Sequence, residues 1–418
     1  MHHALTPPTA ALADRPLVAV VNSLCRTQRE YLLRSIGGRY RVWLLQDGPP
    51  SWELPYLTGH TMVDTLDPQA MLAAVSPLGL SGVLCWDEVR IEAAASLAAA
   101  LGLPGGDPAA VRRCRDKHLT RTTLAAAGVP QPASTAVDSP AQAAAAAQRI
   151  GYPVVVKPRA LSGSYGVTLV SDPDELAAAF EQASSRTING VPTFHHNGVL
   201  VEEYLTGQEI SIDCVLHHGT TTPITLARKQ LGYPPHFEEI GHTVNPTDPL
   251  LHDPTVLNIL HAAHHAVGLR DGWAHTELRL TPTGPKVIEI NARLGGDLIP
   301  YLGQLATGTE PGLLAAAAAC GQRPAPEPTH RRVAGVAFGY PTRRCKAAGM
   351  RVDDELLPDG VQHIEFLVAP GTWIEPPPAG HVWGRFCYIV AVADTVAQCQ
   401  DRLESAAKAV TLLVDGER

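Results

Sequence analysis

Residues Ala274–Asp297, AHTELRLTPTGPKVIEINARLGGD, decide how this chain is read. Two runs of alternating apolar and polar residues flank the turn formers Thr281-Pro-Thr-Gly-Pro285, and that pattern predicts a β-hairpin. With the hairpin centred on Thr283, Glu277 and Glu289 are equally distant from the centre and face each other. Opposed cross-strand residues bring their Cβ atoms to about 4.5–5.5 Å, so two carboxylates meet. The period of two sends Leu278, Leu280, Ile288 and Ile290 to one face, and His275, Glu277, Arg279, Glu289, Asn291 and Arg293 to the other. The first face reads as core and the second as chemistry. Opposed carboxylates raise each other's pKa unless a cation lies between them, and Glu, Glu and Asn offer the hard oxygen ligands that Mg²⁺ takes. Arg293 then points at whatever anion the metal holds. A solvated hairpin face would use the same residues, so the choice rests on the segments upstream.

A chain of 418 residues is long for one core and predicts several packed units. Charged residues make up 18% and the net charge is −8, which provides no basic footprint for nucleic acid and no polybasic patch for a membrane. The longest apolar runs, such as Leu17–Val21 and Val154–Val156, are strand-sized. Met1–Pro8 lacks a basic start followed by an apolar core, so the first dozen residues read as a loose tail and the chain as a cytoplasmic enzyme. The eight cysteines are scattered without a C-x-x-C pair, which suits reduced thiols.

From residue 16 to about 112, apolar strands alternate with Ala-rich helices, near Gln28–Ile36 and Ile91–Leu101, in the rhythm of a βαβ unit with a parallel sheet. No G-x-G-x-x-G follows the first strand, so a dinucleotide site is not supported. Lys117 and Arg121, four apart on a predicted helix, put two cations on one face. Gly151–Pro158 reads as a buried strand ending in Lys157, followed by the small-residue loop Ala160–Val167 and a strand at Thr168–Val170. Such a loop lets backbone N–H groups approach a phosphate chain, although it is no Walker A. Gly198–Asp213 gives a strand, a kinked polar link and a second strand, with Glu202, Glu203 and Glu209 as candidates for a purine and ribose pocket.

Taken in this order, Asp116-Lys117…Arg121, VVVKP with its Gly/Ser loop, VEEYLTGQE and E…EINARxGGD resemble the ATP-grasp superfamily, and within it the L-amino-acid ligases that form dipeptides. The resemblance runs from about residue 15 to the C-terminus. It implies an α/β (α+β) ATP-grasp fold: an N-terminal βαβ domain over 15–112, an ATP-grasp domain over 113–325 with a mobile lid at about 151–206, and a C-terminal α+β subdomain over 330–418. By the same resemblance, Lys117 and Lys157 hold the phosphates of ATP, and the loop with Ser162, Gly163, Ser164, Gly166 and Val167 closes over them. Glu202, Glu203 and Leu205 match the hinge around adenine, and Glu209 the acid on the ribose hydroxyls. Glu277, Glu289 and Asn291 match the ligands of two Mg²⁺ ions, with Mn²⁺ a possible substitute, and Arg293 matches the arginine at the transferred phosphoryl group. Arg293, Lys157 and Ser164 are the catalytic candidates.

Tyr233–Pro246 is similar to the F-x-E-x-G-H-x-x-P stretch of amino-acid ligases, with Asn245 additional before Pro246, and makes Glu239 and His242 substrate candidates together with Arg293, Gly295 and Gly296. His261, His264 and His265, like His217-His218, read as surface or capping residues. Arg323–Pro328 reads as a linker into a tail of strands and a closing helix. The activity implied is ATP-dependent joining of an amino-acid carboxylate to an amine, through an acyl phosphate, on small-molecule substrates. An ATP-grasp carboxylase acting on bicarbonate and a non-catalytic nucleotide-binding protein are the alternatives. The oligomeric state stays open, homodimers being common among the relatives.

Overall fold

Parallel strands in residues 16–112 need crossovers, and the Ala-rich helices provide them. The computed structural model describes residues 2–4, 14–185 and 198–416. β1 (His2–Ala4), β2 (Leu17–Val21), β3 (Arg41–Gln46), β4 (Gly59–Met62) and β5 (Gly82–Leu84) form a sheet in the order β1-β4-β3-β2-β5. All neighbours in it are parallel except β1, which pairs antiparallel with β4. The tail expected over the first dozen residues therefore begins as a strand, and residues 5–13 lie outside the described residues. Both faces of β2 are buried: Val18 and Val20 pack with Leu32, Ile36 and Leu314, while Ala19 and Val21 pack with Leu45, Met71 and Leu97.

A four-stranded antiparallel sheet follows, β6 (Ser134–Val137), β7 (Val154–Pro158), β8 (Thr168–Val170) and β9 (Val199–Glu203), in the order β6-β9-β7-β8. It begins at Ser134, upstream of the expected lid boundary at 151, because β6 pairs with β9. Ala143, Ala146 and Ala147 of helix Pro140–Ile150 let that helix lie close over Val154, Val156 and Val201.

The largest sheet contains β10 (Gln208–His217), β11 (Thr220–Gly232), β12 (Glu238–Val244), β13 (Gly272–Thr281), β14 (Gly284–Asn291), β15 (Val333–Gly339), β17 (Val361–Phe366) and β19 (Cys387–Ala393). Its order is β14-β13-β10-β11-β12-β15-β19-β17. β12 pairs with β15, so one sheet runs across the Pro-rich linker and joins the central and C-terminal parts of the chain. β16 (Cys345–Val352), β18 (Trp373–Ile374) and β20 (Val410–Val414) form a small sheet. The helix Val396–Ala409, expected to close the chain, is followed by β20.

The hairpin pairs Glu277 with Glu289 as the spacing predicts, although its turn is tighter, with Thr281 opposite Gly284. A bulge between Glu277 and Leu278 compensates: Leu278 faces Val287, and Ile288 is the extra residue. Ile288, expected in the core, instead lines a cavity, and Val287 joins Leu278 and Ile290 inside. All eight cysteines are free. Among the described residues, no helix is long and apolar enough to cross a membrane.

Candidate active site

The non-core face of the hairpin forms one wall of a cavity of about 590 Å³, with the four-stranded sheet above it and loops of the N-terminal sheet at one end. Lys117 opens helix Lys117–Ala126, whose N-cap Asp116 accepts from His118 N and Leu119 N. Arg159 grips that same carboxylate at 2.6 and 2.5 Å, tying the helix to the end of β7. Lys117 Nζ lies 3.1 Å from Glu289 Oε1 and donates to Leu161 O at 2.5 Å. Lys157 Nζ lies 2.6 Å from Glu202 Oε2, and Arg121 Nε lies 2.7 Å from Glu202 Oε1. Burial alone would raise the Glu202 pKa, but Arg121 and Lys157 bring it down to about 2. Lys117 and Arg121 are buried, which excludes a solvated basic face.

Ser162, Gly163, Ser164 and Val167 line the cavity, whereas Gly166 of the same loop does not and has φ +77°. Gly163 and Ser164 are also left-handed, which suits small residues in that loop. Glu203 and Leu205 line the cavity near Phe237, and the Glu203 carboxylate accepts from Ala133 N and Lys286 Nζ, each at 3.1 Å. The link into β10 passes through Gly207, where φ is +116° and an added Cβ would lie 2.0 Å from Leu280 O. Only glycine fits there.

Glu209, Glu239 and Glu277 converge on one buried cation, Lys229 of β11, at 3.0, 2.9 and 2.9 Å. Burial opposes the charge, yet the three carboxylates carry the Lys229 pKa well above its ordinary value. Arg279 completes the partners of Glu209. His275 Nδ1 bonds Asp213 Oδ1 at 2.7 Å and its Nε2 lies 3.6 Å from Glu277 Oε1. Against the effect of burial, those two carboxylates raise it to about 9. Glu277, Glu289 and Asn291 all line the cavity, so two carboxylates and an amide oxygen reach one space. That donor set fits a hard divalent cation, and both carboxylates already face a positive group, Lys229 or Lys117.

At the far end, Glu239 and Asp297 line the cavity, while His242 is fully buried behind them. His242 Nε2 lies 3.1 Å from Glu239 Oε2 and 3.4 Å from Asp297 Oδ2. Although burial lowers its pKa, hydrogen bonds to Asp297 and Glu239 leave it raised. His242, expected beside a substrate, therefore lies behind Glu239 and off the cavity wall in this structure. Asn245 follows β12, beyond both residues, and the pairing of β12 with β11 shifts register between Glu239 and Gly241. Arg385 grips Asp297 at 2.7 and 3.0 Å with its guanidinium 3.7 Å from the Phe338 ring centre. Gly296 lines the cavity; Gly295 instead backs His275, where an added Cβ would lie 2.8 Å from Nδ1. Arg293 pairs with Glu88, which also meets Arg115 at 2.8 Å. Those two arginines overcome burial and hold the Glu88 pKa down to about 2.

The residues that sequence reasoning passed over are Lys229, Asp213, Glu88 and Arg385. Each sits in an ordinary strand or loop pattern, and its partners are distant in sequence. His264, read as a surface or capping residue, is buried, with Nε2 2.7 Å from Thr276 Oγ1 and Nδ1 3.1 Å from Thr221 Oγ1. His217 and His218 do lie at the β10–β11 tip, their ring centres 4.1 Å apart beside Asp271.

A lysine-flanked glycine and serine loop over antiparallel strands, with opposed carboxylates facing the same cavity, belongs to the ATP-grasp fold, and residues 150–301 match the ATP-grasp domain family. The chain carries an ATP-grasp domain. Its structure resembles that of an L-amino acid ligase from Bacillus licheniformis, with a TM-score of 0.79 and 23% identity over 96% of this chain and 99% of that one. In sequence it is 30% identical over 248 residues to the alanine–anticapsin ligase of Bacillus subtilis, covering 54% of this chain and 51% of the relative. It is 31% identical over 271 residues to human (Homo sapiens) carnosine synthase 1, covering 61% and 32%. The chain thus spans about half or less of these two curated relatives.

Proposed function

We propose that the protein is an ATP-dependent carboxylate–amine ligase that joins an amino acid, through its carboxylate, to the amine of a second amino acid or a peptide. The observation that carries this reading is the Glu277–Glu289 pair on one wall of a cavity that also receives Lys117, Lys157 and Arg293. Glu277, Glu289 and Asn291 would hold Mg²⁺, two ions on the pattern of the family, which supplies charge neutralisation during phosphoryl transfer. Lys117 and Lys157 bind the ATP phosphates, and the Ser162–Val167 loop, with Ser164 at its centre, covers them with backbone N–H groups. Glu202 anchors Lys157 and Arg121 beside the hinge, Glu203 and Leu205 border the adenine, and Glu209 takes the ribose hydroxyls.

The γ-phosphoryl group passes to the substrate carboxylate and ADP departs. The unprotonated amine nitrogen attacks the resulting acyl phosphate, phosphate leaves with the electrons of the broken C–O bond, and the proton lost from nitrogen goes to the departing phosphate. Arg293 stabilises the tetrahedral oxyanion, held in position by Glu88. Glu239 offers a carboxylate to a substrate ammonium, and His242 and Lys229 fix its orientation. Closure of the loop keeps water from the acyl phosphate. The ligases of the family that resemble this chain support the reading.

Phosphate release from Mg²⁺ and ATP, measured with amino acids singly and in pairs and followed by mass spectrometry, tests it. Release that depends on a pair, with a product one water lighter than the sum, is expected. Silence with every pair but turnover with bicarbonate would move the protein to the carboxylases.

A further inference from the structure

The cavity has one wall to which the mechanism above gives no task, and it comes from the C-terminal part of the chain. Gly380 N donates to Pro376 O at 3.1 Å and Gly384 N to Gly380 O at 2.9 Å, closing a tight turn. A Cβ at Gly380 or Gly384 would lie 1.8 or 2.1 Å from Glu375 O, so both positions exclude a side chain and the turn is pressed onto the chain behind it. His381 points inward, 3.3 Å from the buried Glu238 carboxylate. Val382 and Trp383 point the other way and line the cavity together with Leu367.

This turn meets the phosphate loop. Tyr165 packs edge-on against His381 with ring centres 4.8 Å apart, and a Cβ at Gly163 would lie 3.8 Å from Val382 Cγ1. The polar groups at this end are engaged with one another, Arg385 with Asp297 and Asp297 with His242. Of the charged groups here, Glu239, Asp297 and Arg385 line the cavity, where an amino acid's ammonium and carboxylate would meet them. A side chain entering beside them meets Leu367, Val382 and an indole that is 64% exposed although it borders the cavity. Apolar surface left open inside a concave site is surface for a ligand to cover.

Building on the ligase reading, we infer that the Val382–Trp383 turn selects the side chain of one amino-acid substrate and that this side chain is apolar. Packing an apolar group against the indole removes both surfaces from water, and such a pocket discriminates by about 10–200-fold per methylene-sized difference.

The test compares wild-type protein with Trp383→Ala and Trp383→Phe, using phosphate release across amino-acid pairs that differ only in side-chain size. The readout is the ratio of kcat/KM for leucine- or phenylalanine-sized substrates to that for alanine. Trp383→Ala is expected to lower this ratio roughly ten-fold or more through KM, and Trp383→Phe to restore most of it. An equal loss for large and small side chains, or no change in the ratio, overturns the inference and leaves the ligase reading standing. A wild-type preference for charged side chains also overturns the inference. Wild-type protein that releases phosphate with no amino-acid pair defeats the ligase reading itself.

Discussion

Glu289 is the residue on which the proposed site turns. It sits opposite Glu277 and within 3.1 Å of Lys117, so replacing it with Gln removes one anionic oxygen ligand while preserving the shape of the side chain. On the ligase reading, Glu289→Gln lowers ATP turnover at least about 100-fold, the loss typical when a charge-stabilising group is removed from a reacting centre. Steady-state phosphate release beside an unchanged circular dichroism spectrum checks this, and near-wild-type turnover would remove Glu289 from the site. At this scale the sequence was informative where a period of two applied: the carboxylate pair, Asn291 and Arg293 were all placed on the cavity wall by parity. Parity failed at Ile288, since a single bulged residue exchanges the faces of its neighbours. It was silent about Lys229, because a lysine in an alternating strand looks solvated until the three strands carrying its partners are assembled around it.

Helix Pro254–Val267 shows how an element can be fixed by one titratable group. Its His264 reaches Thr221 of β11 and Thr276 of β13, and burial lowers its pKa to about 3. The folded form holds this imidazole neutral, whereas in the unfolded chain it takes up a proton below about 6.5. The unfolded state therefore binds the extra proton between these values, so stability rises with pH across that window and is lost as pH falls from about 6.5 toward 3. The contribution of one such proton is about 1.4 kcal/mol per pH unit. Urea unfolding of wild type and His264→Asn at several pH values is expected to give a shallower dependence for the variant. Parallel curves for the two proteins would mean that His264 is protonated in the fold. The inward turn of His264 was not legible in the sequence, because three histidines in five residues resemble a polar face.

The whole molecule is held by a sheet that ignores the linker. β12 carries Glu238, Glu239 and His242 and has β11 on one side and β15 on the other. Val244 and Leu302 share a core with Val336, Tyr388 and Val390, and Tyr388 Oη donates to Thr27 O of helix Arg26–Arg39 beside the N-terminal sheet. A chain ending at residue 330 loses β15 and leaves β12 as a bare edge over an opened core. Such a fragment is expected to aggregate and to lack a cooperative thermal transition, judged by size-exclusion chromatography and circular dichroism. A monodisperse fragment with a sharp transition would show that the C-terminal strands are dispensable to folding. The alternation of strands and helices made the fold class readable, and the Pro-rich stretch pointed to a boundary. Backbone pairing across that stretch carries no mark in the side chains that form it.

The lysine contacts bear on the order in which ligands arrive. Glu277 and Glu289 each face an ammonium tethered to the protein, so a free divalent ion would have to compete with Lys229 and Lys117 for them. Triphosphate draws Lys117 toward itself on the proposed reading, and the ion then finds Glu289 released. Metal and nucleotide become thermodynamically linked, each strengthening the other's affinity by the same factor.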